Sequence, residues 1–154
     1  MIQTYHYRKW LQNKSLPANF AVMKKDLLAE INRLLSATAW GRNFQQWLRD
    51  EDIEILLDKN MSANMKGVAW VGPNRIILNP AYPASSLVTT TLHEARHIWQ
   101  VQQIADIEGL DMIAANRYCH DNPWSAAIFT RVKEADATAY EYGFMRDYAQ
   151  KTGI

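Results

Sequence analysis

The sequence predicts an α+β protein, mainly helical, with a small and mostly antiparallel sheet. Two observations carry this. Apolar residues recur at helical spacing in both halves of the chain, and between the halves lie three short, partly β-branched runs separated by Gly, Pro and Asn. The 154 residues are read as one domain spanning residues 1–154. That length is enough to bury a core, and no repeat, low-complexity tract or linker divides it.

Taken in order, Pro17 opens a first helix in which Phe20, Met23, Leu27, Ile31, Leu34 and Leu35 recur, with Lys24, Lys25, Glu30 and Arg33 between them. A shorter core helix carries Trp40, Phe44, Trp47 and Leu48. The strand candidates are Ile53 to Leu57, Val68 to Val71 and Arg75 to Leu78. Gly72-Pro73-Asn74 suggests a hairpin between the last two, and Asn79-Pro80 ends the third because proline cannot donate into a ladder. Ser85 or Ser86 is placed to cap the next helix, which ends around the stretch IADIEGLD. The last helix starts at Pro123, with Asn122 as its cap, and runs through RVKEADATAYEYG.

Composition excludes several classes. Seventeen basic and sixteen acidic residues leave a formal charge of +1, so nothing draws the whole molecule to nucleic acid or anionic lipid. The single Cys119 allows no internal disulfide and no thiolate zinc site of its own. No run approaches the roughly 18 apolar residues of a membrane span. The start, MIQTYHYRKWLQNK, lacks an apolar signal core. The expectation is a soluble, cytoplasmic protein.

Chemistry concentrates in Thr91-Leu92-His93-Glu94-Ala95-Arg96-His97-Ile98-Trp99-Gln100. Residues four apart stack on one helical face, so the His93 and His97 imidazoles can reach one metal ion from a rigid support. Zinc takes neutral imidazole nitrogens and at catalytic sites keeps one position for water. Glu94, turned about 100° from His93, faces that water and can serve as general base, then return the proton to a leaving amine. Four His and seven Glu in the chain give His-Glu-x-x-His a chance frequency of roughly 0.5%. Accident is a poor explanation. By rotation, Val88, Leu92, Ala95 and Trp99 face the core, while Thr89, Arg96, Gln100 and Gln103 form a polar strip. The histidines fall at the edge of the buried surface, where a cleft wall belongs.

A third ligand is required. A metzincin-type extension would need Gly at 100 and His at 103, and both positions are Gln. Glu108 and Asp111 lie near the end of the motif helix. Glu134 is the stronger candidate, because Ala127, Ala135, Ala137 and Thr138 allow its helix to come close. Asp136 leaves that helix about 160° away, so it and Glu134 cannot both bind one ion from a regular helix. Glu141 shares the face of Glu134, two turns on.

The combination TLHEARHIWQ and RVKEADATAYEYG resembles a family of small zinc metallopeptidases with gluzincin-like organisation, and more loosely so do RIILNP and WGRNF. The resemblance implies a zincin-like fold, Zn²⁺ held by His93, His97 and Glu134, and Glu94 as catalytic base. It implies peptide or protein substrates. In larger gluzincins an acidic residue four places after the ligand Glu supports a histidine, whereas position 138 here is Thr. That role is therefore unassigned, and Asp136 could serve only if the helix is distorted or if it bonds elsewhere, for example to Lys133 or Arg131. In zincins a sheet lies above the motif helix and its edge strand can pair with an extended peptide. Arg75 to Asn79 is the candidate edge. So small a cleft suggests that a partner domain or regulatory protein helps to choose substrates.

Other residues carry blander readings. His6 sits in an aromatic terminal segment without ligand spacing. His120 has the chemistry to polarise a carbonyl but reads better as a turn residue. Cys119 is adjacent to His120, and adjacent residues rarely align as nucleophile and base. Tyr140 and Tyr142 suit packing better than catalysis. A zinc-binding module without activity, or a helical interaction protein with a fortuitous motif, are the other classes. Glu94 favours an enzyme over the binding module, since metal binding alone needs no base, and metal content separates both from the fortuitous motif.

Overall fold

The computed structural model describes residues 18–121 and 123–153, with side chains from Lys25 onward except at 123–126, 128 and 129. The expectations for His6, for the Asn122 cap and for the Phe20 and Met23 side chains lie outside the described residues. Five helices and three strands follow one another among those described: α1 (Ala18–Ser36), α2 (Ala39–Asp50), β1 (Glu54–Leu57), β2 (Gly67–Trp70), β3 (Arg75–Leu78), α3 (Ala84–Glu108), α4 (Met112–Tyr118) and α5 (Pro123–Thr152). None of these helices is long and apolar enough to cross a membrane.

The predicted helical face of α1 is buried through Ile31 and Leu35, and that of α2 through Phe44 and Leu48. The Thr38 side chain caps α2 by accepting the Gly41 N–H at 2.9 Å. Both helices close over one apolar cluster with Leu87, Val88, Leu92, Ala95 and Ile98 of α3.

The sheet corrects two expectations. Its order is β1-β3-β2, so Arg75–Leu78 is the central strand and not an edge. Only the β2–β3 pairing is antiparallel, with Ala69 opposite Ile76. β1 runs parallel to β3, so the sheet is mixed rather than mostly antiparallel. The physical reason lies in β3 itself. Ile76, Ile77 and Leu78 are all buried, and a strand covered on both faces gains most between two neighbours. β2 is the edge that meets α3.

α3 is the hub, touching α1, α4, α5, β2 and β3. Its cap also differs from expectation. Pro83, extended at φ −68° and ψ 152°, is the N-cap without a side-chain bond, and its carbonyl accepts the Ser86 and Leu87 N–H groups. Ser85 and Ser86 therefore lie inside the first turn. The helix stops at Gly109, whose φ of 64° is left-handed and favours glycine. Leu87 and Ile98, outside the predicted core face, are fully buried, whereas Trp99 is half-buried. A helix enclosed on most sides shows no single apolar stripe.

α5 begins at Pro123 as expected and buries Ala137 and Phe144. Gly143 lets it lean on α2: a Cβ there would lie 2.1 Å from the Trp40 ring. Gly143→Ala gains helix propensity but forces the indole aside, and overpacking outweighs the gain. Urea unfolding should show a net loss of about 1–2 kcal/mol. Equal or higher stability would mean that the α2–α5 contact is loose.

Candidate metal centre

His93 and His97 lie one turn apart on α3, with ring centroids 4.7 Å apart, and α5 crosses them. Nε2 of His93 is 3.0 Å from Oε2 of Glu134, and Nε2 of His97 is 3.3 Å from Oε1 of the same carboxylate. One ligand atom from each of the three residues lies within 4.8 Å of the others. Two imidazole nitrogens and a carboxylate are a donor set that zinc accepts. The Nδ1 atom of each ring faces another side chain, which leaves both Nε2 atoms converging on the Glu134 carboxylate. The residues fit a metal ion.

Those other nitrogens have partners on both helices. Nδ1 of His97 lies 3.0 Å from Oε1 of Gln100. The Gln100 amide donates to the Lys133 carbonyl at 3.0 Å and to Oδ2 of Asp136 at 2.7 Å. Arg96 donates twice to Asp136, at 2.7 and 3.0 Å, with its guanidinium 3.7 Å from the Trp99 ring centre. Asp136 thus bonds across to α3 and not to Lys133 or Arg131 on its own helix. Nδ1 of His93 lies 3.6 Å from Oε2 of Glu141, two turns beyond Glu134.

Glu94 points toward the sheet. Its Oε2 accepts the Ala69 N–H of β2 at 2.8 Å. Gly67 permits this approach, since a Cβ there would lie 2.6 Å from Cγ2 of Thr90. Burial raises the Glu94 carboxyl above its ordinary range, against the pull of the Ala69 N–H. Burial also holds the His97 imidazole below its ordinary value, favouring the neutral form that can ligate.

The cluster opens into a cleft of about 1060 Å³ between β2, α3 and α5. Val68, Trp70, Val71, Val101 and Ile113 belong to its apolar lining, and Lys133 lines it from α5. Other residues weighed in the sequence fall elsewhere. Asp111 caps α4 by accepting the Ala114 N–H at 2.7 Å, and Glu108 is exposed outside the cluster. His120 is exposed, and Cys119 is buried, with burial pushing its thiol up. Tyr140 lies with Phe44, Trp47 and Trp99 around a separate cavity, and Tyr142 is exposed. The Ala69 N–H escaped the sequence reading, and Lys133 entered it only as a candidate partner of Asp136. Arg96 and Gln100 were visible only as a polar strip, and opposite polar groups on two facing helices were the available signal.

A mostly helical α+β fold carrying a His/His/Glu cluster at a cleft is that of a candidate metal-binding protein. The chain belongs to the family described as "Putative metallopeptidase family (DUF6782)", whose model matches residues 13–144. Comparison with curated proteins and with solved structures found no match.

The Arg96 bond holds the Asp136 carboxyl below its ordinary range. A carboxyl depressed in the folded state stabilises above its unfolded value, near pH 4, and loses that contribution as pH falls through its folded value. Asp136→Asn should therefore lower the melting midpoint by about 2 °C at pH 7, as for a partly exposed pair. The gap to wild type should narrow steadily below about pH 4. A gap independent of pH would assign the pair no electrostatic share in stability.

Proposed function

We propose that the chain is a zinc-dependent metallopeptidase with a zincin-like fold and gluzincin-like site, cleaving peptide bonds with Glu94 as general base. The observation that carries this reading is the convergence of His93, His97 and Glu134 beside a half-buried Glu94, at the wall of an open cleft. His93, His97 and Glu134 would hold zinc, which when bound supplies a Lewis acid that polarises a carbonyl and makes water more acidic.

The chain's own groups do the rest. Glu94 is held at Oε2 by the Ala69 N–H, so Oε1 is the oxygen that takes a proton from the attacking water. It then passes that proton to the departing amine. Its raised affinity for protons suits both halves of that exchange. β2, being an edge, offers main-chain groups to an extended peptide, a role first expected of Arg75 to Asn79. Gln100 and Glu141 orient the two imidazoles through Nδ1.

Glu94→Gln keeps the hydrogen bond to β2 but cannot take a proton. Purified wild type should contain about one zinc per chain and hydrolyse members of a broad peptide library. Glu94→Gln should keep its zinc and lose at least about a hundredfold in rate, while His93→Ala should lose the metal. Zinc-loaded wild type that cleaves nothing would reduce the chain to a zinc-binding module. Full zinc in His93→Ala would remove the site altogether.

The second test concerns the supporting residues. Glu141→Ala and Gln100→Ala should each weaken zinc binding by about 10–100-fold in chelator competition. Glu134→Ala, lacking a ligand, should weaken it more than either. Unchanged affinity in Glu141→Ala would make its approach to His93 incidental.

A further inference from the structure

Hydrolysis of a peptide leaves one task that the residues above do not perform. When water adds to the carbonyl carbon, a C–O bond forms and the carbonyl electron pair moves onto oxygen. The water's proton goes to Glu94. An oxyanion then exists until the pair returns, the C–N bond breaks, and the amine leaves with that proton. Donors fixed in place before the reaction are what lower the energy of such a charge.

The side chains that the sequence reading weighed for this task lie elsewhere. His120 is exposed and outside the cleft wall, Tyr140 lines the cavity beside Phe44 and Trp47, and Tyr142 is 64% exposed. Among the described residues, two cationic side chains line the cleft, Arg75 and Lys133. Arg75 donates to Glu54 at 2.9 Å. Lys133 has its Nζ 3.8 Å from Oε1 of Glu134, the oxygen that lies 3.3 Å from Nε2 of His97. Its side chain is only 20% exposed, and its carbonyl is fixed by the Gln100 amide that also braces His97.

We propose that Lys133 is a catalytic residue of this hydrolysis, donating a hydrogen bond to the scissile carbonyl oxygen as it becomes an oxyanion. The proposal rests on the peptidase reading. An ammonium beside a carboxylate that must ligate a dication opposes metal binding by like-charge repulsion. A neutral side chain would serve the metal better, so the position makes sense where an anionic oxygen arrives during turnover. A peptide's terminal carboxylate is the other source of such an oxygen.

Zinc-loaded wild type, Lys133→Met and Lys133→Arg are compared on the best-cleaved library peptide, with free and amidated C-termini. Zinc affinity is measured by chelator competition, and binding of a phosphinic analogue of that peptide reports on a tetrahedral anion. Lys133→Met should bind zinc at least as tightly as wild type and lose about 10²–10³-fold in kcat with little change in KM. Its affinity for the phosphinic analogue should fall in step, and Lys133→Arg should recover part of both. Weaker zinc binding in Lys133→Met would show that the ammonium serves Glu134, and the proposal fails. A loss confined to KM, and to peptides with a free C-terminus, would assign it to the terminal carboxylate instead. Active wild type with unchanged kcat in Lys133→Met overturns the role alone. Inactive wild type overturns the peptidase reading and this role with it.

Discussion

Two imidazoles on one helix cannot enclose a metal ion, so a further ligand has to come from another element, and the docking of α5 on α3 brings one there. The contact is unusual in being polar at its centre. Arg96, Gln100 and Asp136 join the helices through hydrogen bonds of 2.7 to 3.0 Å, while Ala137 is buried alongside. A purely apolar contact tolerates sliding, because its energy depends on area and little on direction. A bidentate guanidinium–carboxylate pair does not, since both bonds depend on angle. Glu134 lies two residues before Asp136 on the same helix. Whatever fixes the register of Asp136 against Arg96 fixes Glu134 against His93 and His97.

The sheet enters through a different constraint. Glu94 is half-buried, and a carboxylate drawn partly out of water needs a donor. Ala69 provides it from the edge strand, and can do so because Gly67 leaves room for β2 to lie on α3. One bond therefore holds the carboxyl in place and ties the strand to the motif helix. Desolvation raises its proton affinity and the amide lowers it, with desolvation the larger effect. Oε2 remains on the strand, so the carboxyl is presented to the cleft from one oxygen only.

What the sequence showed of this depended on range. Local geometry was legible: His93 and His97 had to share a face, and the reversal at Gly72-Pro73-Asn74 had to pair β2 with β3. Rotation about α5 separated Glu134 from Asp136, and the structure indeed sends them to different partners. Contacts between distant segments were harder. Nothing within Val68 to Leu78 tells which strand of the hairpin receives β1, although the unbroken run Ile76-Ile77-Leu78 was a hint that β3 is enclosed. Trp99 looked like core from its helical position alone, but α5 and α2 arrive from other parts of the chain and decide what is covered. Glu141 was set aside as two turns too far. A long side chain angled along the helix covers that distance to His93, and spacing on one helix does not measure reach across two.

The same geometry sets a tension within the fold. His93, His97 and Glu134 bring donor atoms together that, for stability alone, would each be better solvated or paired separately. Glu134 is still half exposed, and Lys133 approaches it no closer than 3.8 Å. The apolar cluster beneath α1 and α2 and the Arg96–Asp136 pair must hold α3 and α5 together against that preference. On the proposed reading, metal binding relieves it, because a ligand that binds only the folded chain stabilises it in proportion to its own affinity. The polar joint and the ligand cluster are then two halves of one arrangement. The first keeps the helices in register without metal, and the second adds its stabilisation only when that register is already correct.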